Sequence, residues 1–209
     1  MITIDVVSDV ICPWCFLGKR RLDKALALIP EIKAEISFRP FFLDPTIPPE
    51  GLGRHEYMAA KFGEERLKTI HDPLIKAGKE DGVPYHFDKI TRTPNTMDAH
   101  RLLRWAKLDG KQPEIAEALF MAYWNEGRDV GDHQVLADIA AAHGMNRNKV
   151  LNALGTDQDK NDVLKETTQA QQMGVTGVPT YIINQKYGVV GAQAAETLAE
   201  QIKMAAAQG

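Results

Sequence analysis

The chain has 209 residues, 44% of them hydrophobic, and a formal net charge of -3 at pH 7. This length and apolar content are enough to bury a core, in one domain or in a domain with a large insertion. The mild negative charge gives no reason to expect nucleic acid or an anionic membrane as the main partner. No apolar run approaches the roughly 20 residues that a membrane span needs, so no membrane segment is predicted.

The N-terminus and the cysteine content narrow the class of protein. Residues 1–5 carry neither the basic region nor the cleavage-site pattern of a secretory signal, which predicts a cytoplasmic protein. The chain has only 2 Cys, and they are three positions apart. A structural disulfide framework uses more cysteines, and in a reducing cytosol a close Cys pair is more often redox-active or metal-binding.

In chain order, the first predicted elements are a strand, a helix and a second strand. Residues 2–7 are rich in β-branched side chains and predict a short buried strand. From Pro13 the apolar spacing becomes helical and ends near Pro30, and Pro13 suits the first turn of a helix. Residues 34–43 alternate and are aromatic, which predicts the second strand. Two strands that flank a helix form a βαβ unit with parallel pairing.

A block of helices is predicted after the proline-rich connection at residues 44–51. The candidate helices share apolar residues near i, i+3, i+4 spacing and are separated by turn signals. They cover residues 56–62, 65–79, 96–107, 113–125, 134–143 and 158–172.

The strand pattern returns near the C-terminal end of the chain. Residues 180–183 and 187–190 are predicted strands joined by a short hairpin turn, and a helix is predicted over residues 194–206. The order β-α-β, helical block, β-β-α predicts an α/β fold in which a layered domain carries a large all-helical insertion. The predicted domains are residues 1–50 with 174–209, and the inserted residues 51–173.

The motif Cys12-Pro13-Trp14-Cys15 stands between a predicted strand and a predicted helix. Backbone N–H groups of the first helical turn point at the Cys12 sulfur and the helix dipole adds partial positive charge, so both favour the thiolate. The i, i+3 spacing brings Cys15 to the same side, where it can attack a mixed disulfide on Cys12. This predicts Cys12 as the nucleophile and Cys15 as the resolving thiol, with Pro13 and Trp14 tuning the redox potential beside the substrate.

Two other interpretations of the cysteines stay open. A zinc site needs about four ligands, whereas the chain has no second Cys pair and no His at a convincing ligand spacing. No metal is therefore predicted within one chain, although a site shared across a dimer is compatible with the sequence. Two buried, inert thiols are the other alternative. The redox interpretation is favoured because strand, motif and helix occur in the right order.

A second signal is Gly177-Val178-Pro179-Thr180, which precedes the predicted hairpin. If the Val178–Pro179 peptide bond is cis, the chain turns sharply beside the cysteines and leaves Val178 backbone groups free to pair with an extended substrate. Val178 and Pro179 are therefore predicted to bind substrate. The alternative is an ordinary trans peptide bond that enters an edge strand.

Two further polar residues receive no catalytic role from the sequence. Asp9 lies shortly before Cys12, and its negative charge would oppose a thiolate there. His100 is interpreted as a surface or core-edge histidine rather than as a general base.

Together, the cysteine motif and the proline segment resemble the DsbA family of the thioredoxin superfamily, in particular its cytosolic FrnE-like branch. The family implies a thioredoxin fold with an inserted helical domain, a cis-Pro at Pro179, and disulfide exchange on disulfide-containing proteins or small thiols. No bound cofactor is implied; glutathione is a possible redox partner, and an exposed apolar face on the helical block is compatible with a homodimer. The segments that carry the resemblance are residues 8–19, Arg39-Pro40-Phe41-Phe42-Leu43, Asn125-Glu126-Gly127-Arg128-Asp129, Gly174-Val175-Thr176-Gly177-Val178-Pro179 and Tyr187-Gly188-Val189-Val190-Gly191-Ala192-Gln193.

A sister branch provides the alternative function. Glutathione-dependent 2-hydroxychromene-2-carboxylate isomerases and kappa-class glutathione transferases resemble this chain in layout, and they typically carry Ser at the position of Cys12. Because this sequence keeps both Cys12 and Cys15, it favours a thiol–disulfide oxidoreductase or dithiol–disulfide isomerase over a glutathione-dependent isomerase or transferase. A third hypothesis is a binding or chaperone-like protein in which the cysteines are incidental.

Overall fold

The computed structural model describes residues 1–208 and has a four-stranded sheet at its centre. Its strands are β1 (Ile2–Ser8), β2 (Ala34–Pro40), β5 (Thr180–Ile183) and β6 (Tyr187–Val190). In the strand order β2-β1-β5-β6, β1 and β2 are parallel, whereas β5 runs antiparallel to β1 and β6 antiparallel to β5. Helix α1 (Pro13–Leu28) connects β1 to β2, and the C-terminal helix α10 (Ala195–Ala207) packs against α1. This arrangement confirms the predicted thioredoxin fold.

Between β2 and β5 the chain forms the predicted helical insertion. Its helices are α2 (Arg54–Phe62), α3 (Glu64–Leu67), α4 (Asp72–Asp81), α5 (Met97–Leu108), α6 (Gln112–Trp124), α7 (His133–Ala142), α8 (Arg147–Leu154) and α9 (Lys160–Gln172). The insertion also carries a short antiparallel strand pair, β3 (Leu52–Gly53) and β4 (Arg92–Thr93), so the expectation that it is all-helical is wrong in this detail.

Two helix predictions differ from the structure for local reasons. The single helix predicted over residues 65–79 is divided into α3 and α4, and Pro73 lies in the first turn of α4, where a missing N–H is tolerated. Helix α8 was not predicted; Asn146 caps it by accepting a hydrogen bond from the Lys149 N–H at 3.0 Å.

The insertion and the sheet layer share one hydrophobic core. A single cluster of buried side chains includes Ile4 and Val6 of β1, Leu22 of α1, and Leu102 and Phe120 of the insertion. The predicted domain boundaries near residues 50 and 174 therefore mark where the secondary-structure pattern of the sequence changes, and they stay a prediction.

Among residues 1–208, no helix has the length and apolar character needed to cross a membrane.

Ion pairs on α1 hold the insertion against the sheet layer. The Lys19 ammonium lies 2.9 Å from the Glu117 carboxylate of α6. Arg21 donates to the Asp81 carboxylate at the end of α4 at 2.7 Å and to the Ala192 carbonyl at 2.6 Å. One α1 side chain thus connects the insertion to the segment between β6 and α10.

The outer edge of β2 is closed by a side chain. Gln112, which is buried at the start of α6, accepts a hydrogen bond from the Phe38 N–H at 2.8 Å and donates to the Phe38 carbonyl at 3.0 Å. It also donates to the Leu103 carbonyl at 3.1 Å. The amide thereby pairs with the strand edge as a neighbouring strand would, which protects an edge that could otherwise pair with another chain.

We expect Gln112→Leu to lower the free energy of unfolding by about 2–4 kcal/mol, because it leaves the buried N–H and carbonyl of Phe38 without their side-chain partner. The measurement is the midpoint of urea unfolding at unchanged slope. Gln171→Leu, at an exposed position of α9, is the matched control and should change stability by less than about 0.5 kcal/mol. Equal effects of the two substitutions would contradict the proposed edge closure.

Candidate active site around two cysteines

The two cysteines lie at the N-terminal end of α1. Cys12 is the N-cap residue with an extended backbone, and Pro13 follows in the first turn. The Cys12 N–H donates to the Asp9 carbonyl at 3.0 Å, and the Cys15 N–H donates to the Cys12 carbonyl at 3.0 Å. The first-turn N–H groups were predicted to point at the Cys12 sulfur, but none of them donates a hydrogen bond to it. The helix dipole is therefore the part of the predicted stabilisation that this geometry retains.

The structure brings the predicted proline segment to the cysteines. The Val178–Pro179 peptide bond is cis, and the Cys12 thiol lies 3.8 Å from the Val178 carbonyl oxygen. Both cysteines are free thiols. The predicted site residues Cys12, Val178 and Pro179 are thus neighbours although 166 positions separate the first two.

The close approach of α1 to this segment requires a glycine. A Cβ atom at Gly18 would lie 2.4 Å from the Tyr181 hydroxyl oxygen and 2.8 Å from Cγ of Pro179. These separations are too short for any side chain, and the neighbours are a proline ring and a buried phenol. Gly18 therefore sets how near α1 comes to the loop that carries Val178.

The thiols are more enclosed than is typical of reactive cysteines, which are usually partly exposed. Cys12 is 3% exposed and Cys15 is 1% exposed. Trp14, by contrast, is 41% exposed, so the motif presents one apolar side chain to solvent. The Pro13 carbonyl accepts a hydrogen bond from the Tyr85 hydroxyl at 2.6 Å, so the insertion holds the motif from the other side.

The surroundings of Cys15 oppose its ionisation. Burial raises the pKa of the Cys15 thiol well above its usual range, and a hydrogen bond and the charge of Cys12 raise it further. Asp9 acts in both directions on this pKa: its backbone hydrogen bond lowers it and its negative charge raises it. In this dithiol form, Cys15 is therefore held as a neutral thiol.

Asp9 and His100 form a buried polar pair that the sequence did not reveal. Both are almost completely buried, so of the two predicted positions for His100, at the surface or at the edge of the core, the surface one is wrong. The Asp9 carboxylate accepts a hydrogen bond from the Leu43 N–H at 2.8 Å, and its other oxygen lies 3.5 Å from His100 Nε2. Nε2 also lies 3.0 Å from the Phe41 carbonyl, which can only accept, so this nitrogen carries a proton. One feature of the sequence does predict that His100 is buried. Leu103 follows it by three positions, which places His100 on the apolar face of α5.

A cluster of aromatic side chains from the insertion packs against residues on either side of the cysteine motif. The Phe16 ring packs edge-on against Tyr85 at 5.9 Å and stacks on Phe120 at 5.4 Å between ring centroids. Trp124 donates from its indole N–H to the Val10 carbonyl at 2.9 Å.

Among residues 1–208, no three or more His, Cys, Asp or Glu side chains are arranged to hold a metal ion.

We expect Gly18→Ala to lower the free energy of unfolding by about 1–2 kcal/mol, because overpacking outweighs the gain of about 1 kcal/mol in helix propensity. Urea unfolding measures the change. The control is Gly155→Ala, where an added Cβ meets nothing closer than 3.5 Å and the backbone is right-handed. That variant should be neutral or stabilised by up to about 1 kcal/mol. A stabilised Gly18→Ala variant would refute the close approach.

We also expect Asp9→Asn to lower the pKa of Cys15, because it removes a negative charge that raises this pKa and keeps the backbone N–H. The thiolate absorbance of Cys15 is titrated in a Cys12→Ser background, where Cys15 is the only thiol left. Its thiolate should then form at lower pH. Asp5→Asn, on β1 and paired with Arg39, is the control and should leave this titration unchanged. A higher pKa in Asp9→Asn would contradict the charge effect.

The chain is similar to known proteins over most of its length. A family model described as a DSBA-like thioredoxin domain matches residues 3–203. The uncharacterized protein YwbO of Bacillus subtilis (strain 168) is 26% identical over 182 residues, which are 86% of this chain and 86% of that protein.

Solved structures extend the likeness to three dimensions. A probable DsbA oxidoreductase from Streptomyces coelicolor matches with a TM-score of 0.92 and 29% identity, over 100% of this chain and 92% of the other. A 2-hydroxychromene-2-carboxylate isomerase matches with a TM-score of 0.75 and 16% identity, over 99% and 97%, which is a likeness of fold alone. Because the family model covers nearly all of the residues that form the sheet, the insertion and the cysteine motif, the chain belongs to the DSBA-like thioredoxin domain family.

Proposed function

We propose that the chain is a thiol–disulfide oxidoreductase that acts through Cys12 and Cys15. The observation that carries this proposal is the position of the Cys12 thiol, at the N-cap of α1 and 3.8 Å from the carbonyl oxygen of Val178. A helix N-terminus favours the thiolate, which is the form that attacks disulfides.

The reaction proceeds in two exchanges. The Cys12 thiolate attacks one sulfur of the substrate disulfide, a mixed disulfide forms, and the other substrate sulfur leaves as a thiolate. Cys15 then loses its proton to solvent and attacks the Cys12 sulfur, which forms the Cys12–Cys15 disulfide and releases the second substrate thiolate. The two cysteines are oxidised and the substrate disulfide is reduced to two thiols.

The segment before Pro179 offers an edge to an extended substrate. Among residues 1–208, the Val178 N–H has no acceptor, and the Val178 carbonyl meets only the Cys12 thiol. A peptide in extended conformation can pair with such groups, as an added strand does at a sheet edge. The exposed part of the Trp14 side chain, within the motif, supplies apolar contact to such a substrate.

A thiol pool completes the cycle in this proposal. The oxidised pair returns to the dithiol by exchange with two small thiols, for which glutathione is the proposed source, and no bound cofactor takes part. We place the protein in the cytoplasm, where such a pool is kept reduced.

The experiment compares the reduced wild type with Cys12→Ser and Cys15→Ser, using dithiobis(nitrobenzoate) as a chromogenic disulfide. We expect the wild type to release two thiolates per chain in successive phases. Cys15→Ser should release one and stop at a mixed disulfide that mass spectrometry detects, because the resolving thiol is missing. Cys12→Ser should lose the fast first phase.

The two single variants serve as matched controls for each other, since each removes one sulfur from the same helix end. Equal reactivity of both variants would contradict the division of roles. Full activity of Cys12→Ser would contradict the enzymatic proposal and favour a binding protein with incidental cysteines. With a biological disulfide, the corresponding result is that each chain of reduced wild type converts one glutathione disulfide into two glutathione thiols, a full reduction that both variants should lose.

A further inference from the structure

Tyr181 on β5 carries a buried hydroxyl group with no hydrogen-bond partner. Its side chain is only 1% exposed. The other enclosed tyrosine hydroxyls are paired: Tyr85 donates to the Pro13 carbonyl at 2.6 Å, and Tyr123 donates to the Arg92 carbonyl at 3.1 Å. Burying a hydroxyl without a partner is unfavourable, so phenylalanine would suit this position better if the hydroxyl had no use.

The position of this hydroxyl points to Cys15. It occupies the space that a Gly18 side chain would fill, 2.4 Å from where that Cβ would lie. Because Cα–Cβ bonds in a helix tilt toward the N-terminus, this space lies over the preceding turn, which contains Cys15. Residues three apart are neighbours on a helix surface, so the Tyr181 hydroxyl beside Gly18 lies on the side of α1 that also carries Cys15.

Burial and the neighbouring charges together raise the pKa of the Tyr181 phenol, which therefore keeps its proton. Burial raises the pKa of the Tyr181 phenol, and the charge of Cys15 raises it more than that of any other neighbouring group. Arg21 lowers this pKa, whereas Asp23 and Cys12 raise it. The phenol is therefore a neutral donor next to a group that must become an anion. The titratable and charged groups that face Cys15 or Tyr181 are Cys12, Arg21 and Asp23 on α1, Asp9 in the loop before α1, and Tyr85 of the insertion.

We propose that the Tyr181 hydroxyl donates a hydrogen bond to the Cys15 thiolate and is a positioning residue for the step in which Cys15 releases the substrate. A neutral thiol is a weak acceptor and a thiolate a strong one, so this hydrogen bond forms when Cys15 ionises, whereas the hydroxyl is unpaired in the dithiol form. The inference rests on the proposed function. It adds a residue to the second exchange, in which the Cys15–Cys12 bond forms as the bond from Cys12 to the substrate sulfur breaks and the proton of Cys15 passes to solvent.

The test is Tyr181→Phe, followed with dithiobis(nitrobenzoate) over a range of pH. Loss of the hydrogen bond should raise the pH midpoint of the second phase by about one unit. At pH 7 the second phase should be about three-fold slower, because a ten-fold loss of thiolate is partly offset by the greater nucleophilicity of the more basic sulfur. The first phase, which belongs to Cys12, should keep its rate and its pH profile.

Tyr123→Phe is the matched control, since it removes a buried tyrosine hydroxyl that is bonded to the Arg92 carbonyl. It should leave both phases unchanged. Unfolding in urea gives a second readout: Tyr181→Phe should be at least as stable as the wild type, because the lost hydroxyl has no partner in the dithiol form.

Two outcomes overturn the inference: an unchanged midpoint of the second phase in Tyr181→Phe, or an equal shift of both phases. These failures are distinct from failure of the proposed function. If the wild type itself lacks a second phase, the oxidoreductase proposal fails; if the wild type shows both phases and Tyr181→Phe matches it, only the role of Tyr181 fails.

Discussion

The contact between α1 and the segment at Pro179 is the constraint on which the rest of the site depends. At Gly18 there is room for no side chain, because the Pro179 ring and the Tyr181 hydroxyl fill that space. This approach fixes the distance from the helix end to the β5 loop, and so it places the Cys12 thiol at the Val178 carbonyl. The sheet reinforces it, since β1 leads into α1 and pairs directly with β5.

The helical insertion completes the site from the opposite side. Three of its side chains reach the loop that joins β1 to α1 and the first turn of α1, and each contacts a different residue there. The contacts are His100 with Asp9, Trp124 with the Val10 carbonyl, and Tyr85 with the Pro13 carbonyl. The backbone that carries the cysteines is thus held between the β5 loop and the insertion, and the two parts also share one hydrophobic core.

The sequence predicted those features that depend on neighbours along the chain. The strand, motif and helix around Cys12 follow from local pattern, and β5 and β6 were predicted with the bounds that the structure has. Gly18, Tyr181 and the pair of Asp9 with His100 were not found, because each matters through a contact between distant segments. A glycine inside a helix or a tyrosine inside a strand has no local sign of such a partner.

The two thiols occupy opposite electrostatic settings within one helical turn. Cys12 is at the end of the helix, where the dipole favours negative charge, whereas burial and the charges of Cys12 and Asp9 raise the pKa of Cys15. In the proposed mechanism Cys12 carries no charge once it is part of the mixed disulfide, so burial and the negative charge of Asp9 are what slow the attack by Cys15. A slower second exchange lengthens the life of the mixed disulfide, during which another thiol of the substrate can attack it. In the proposed mechanism, a group that helps Cys15 to ionise would therefore shorten this interval and favour simple exchange over rearrangement of the substrate's disulfides.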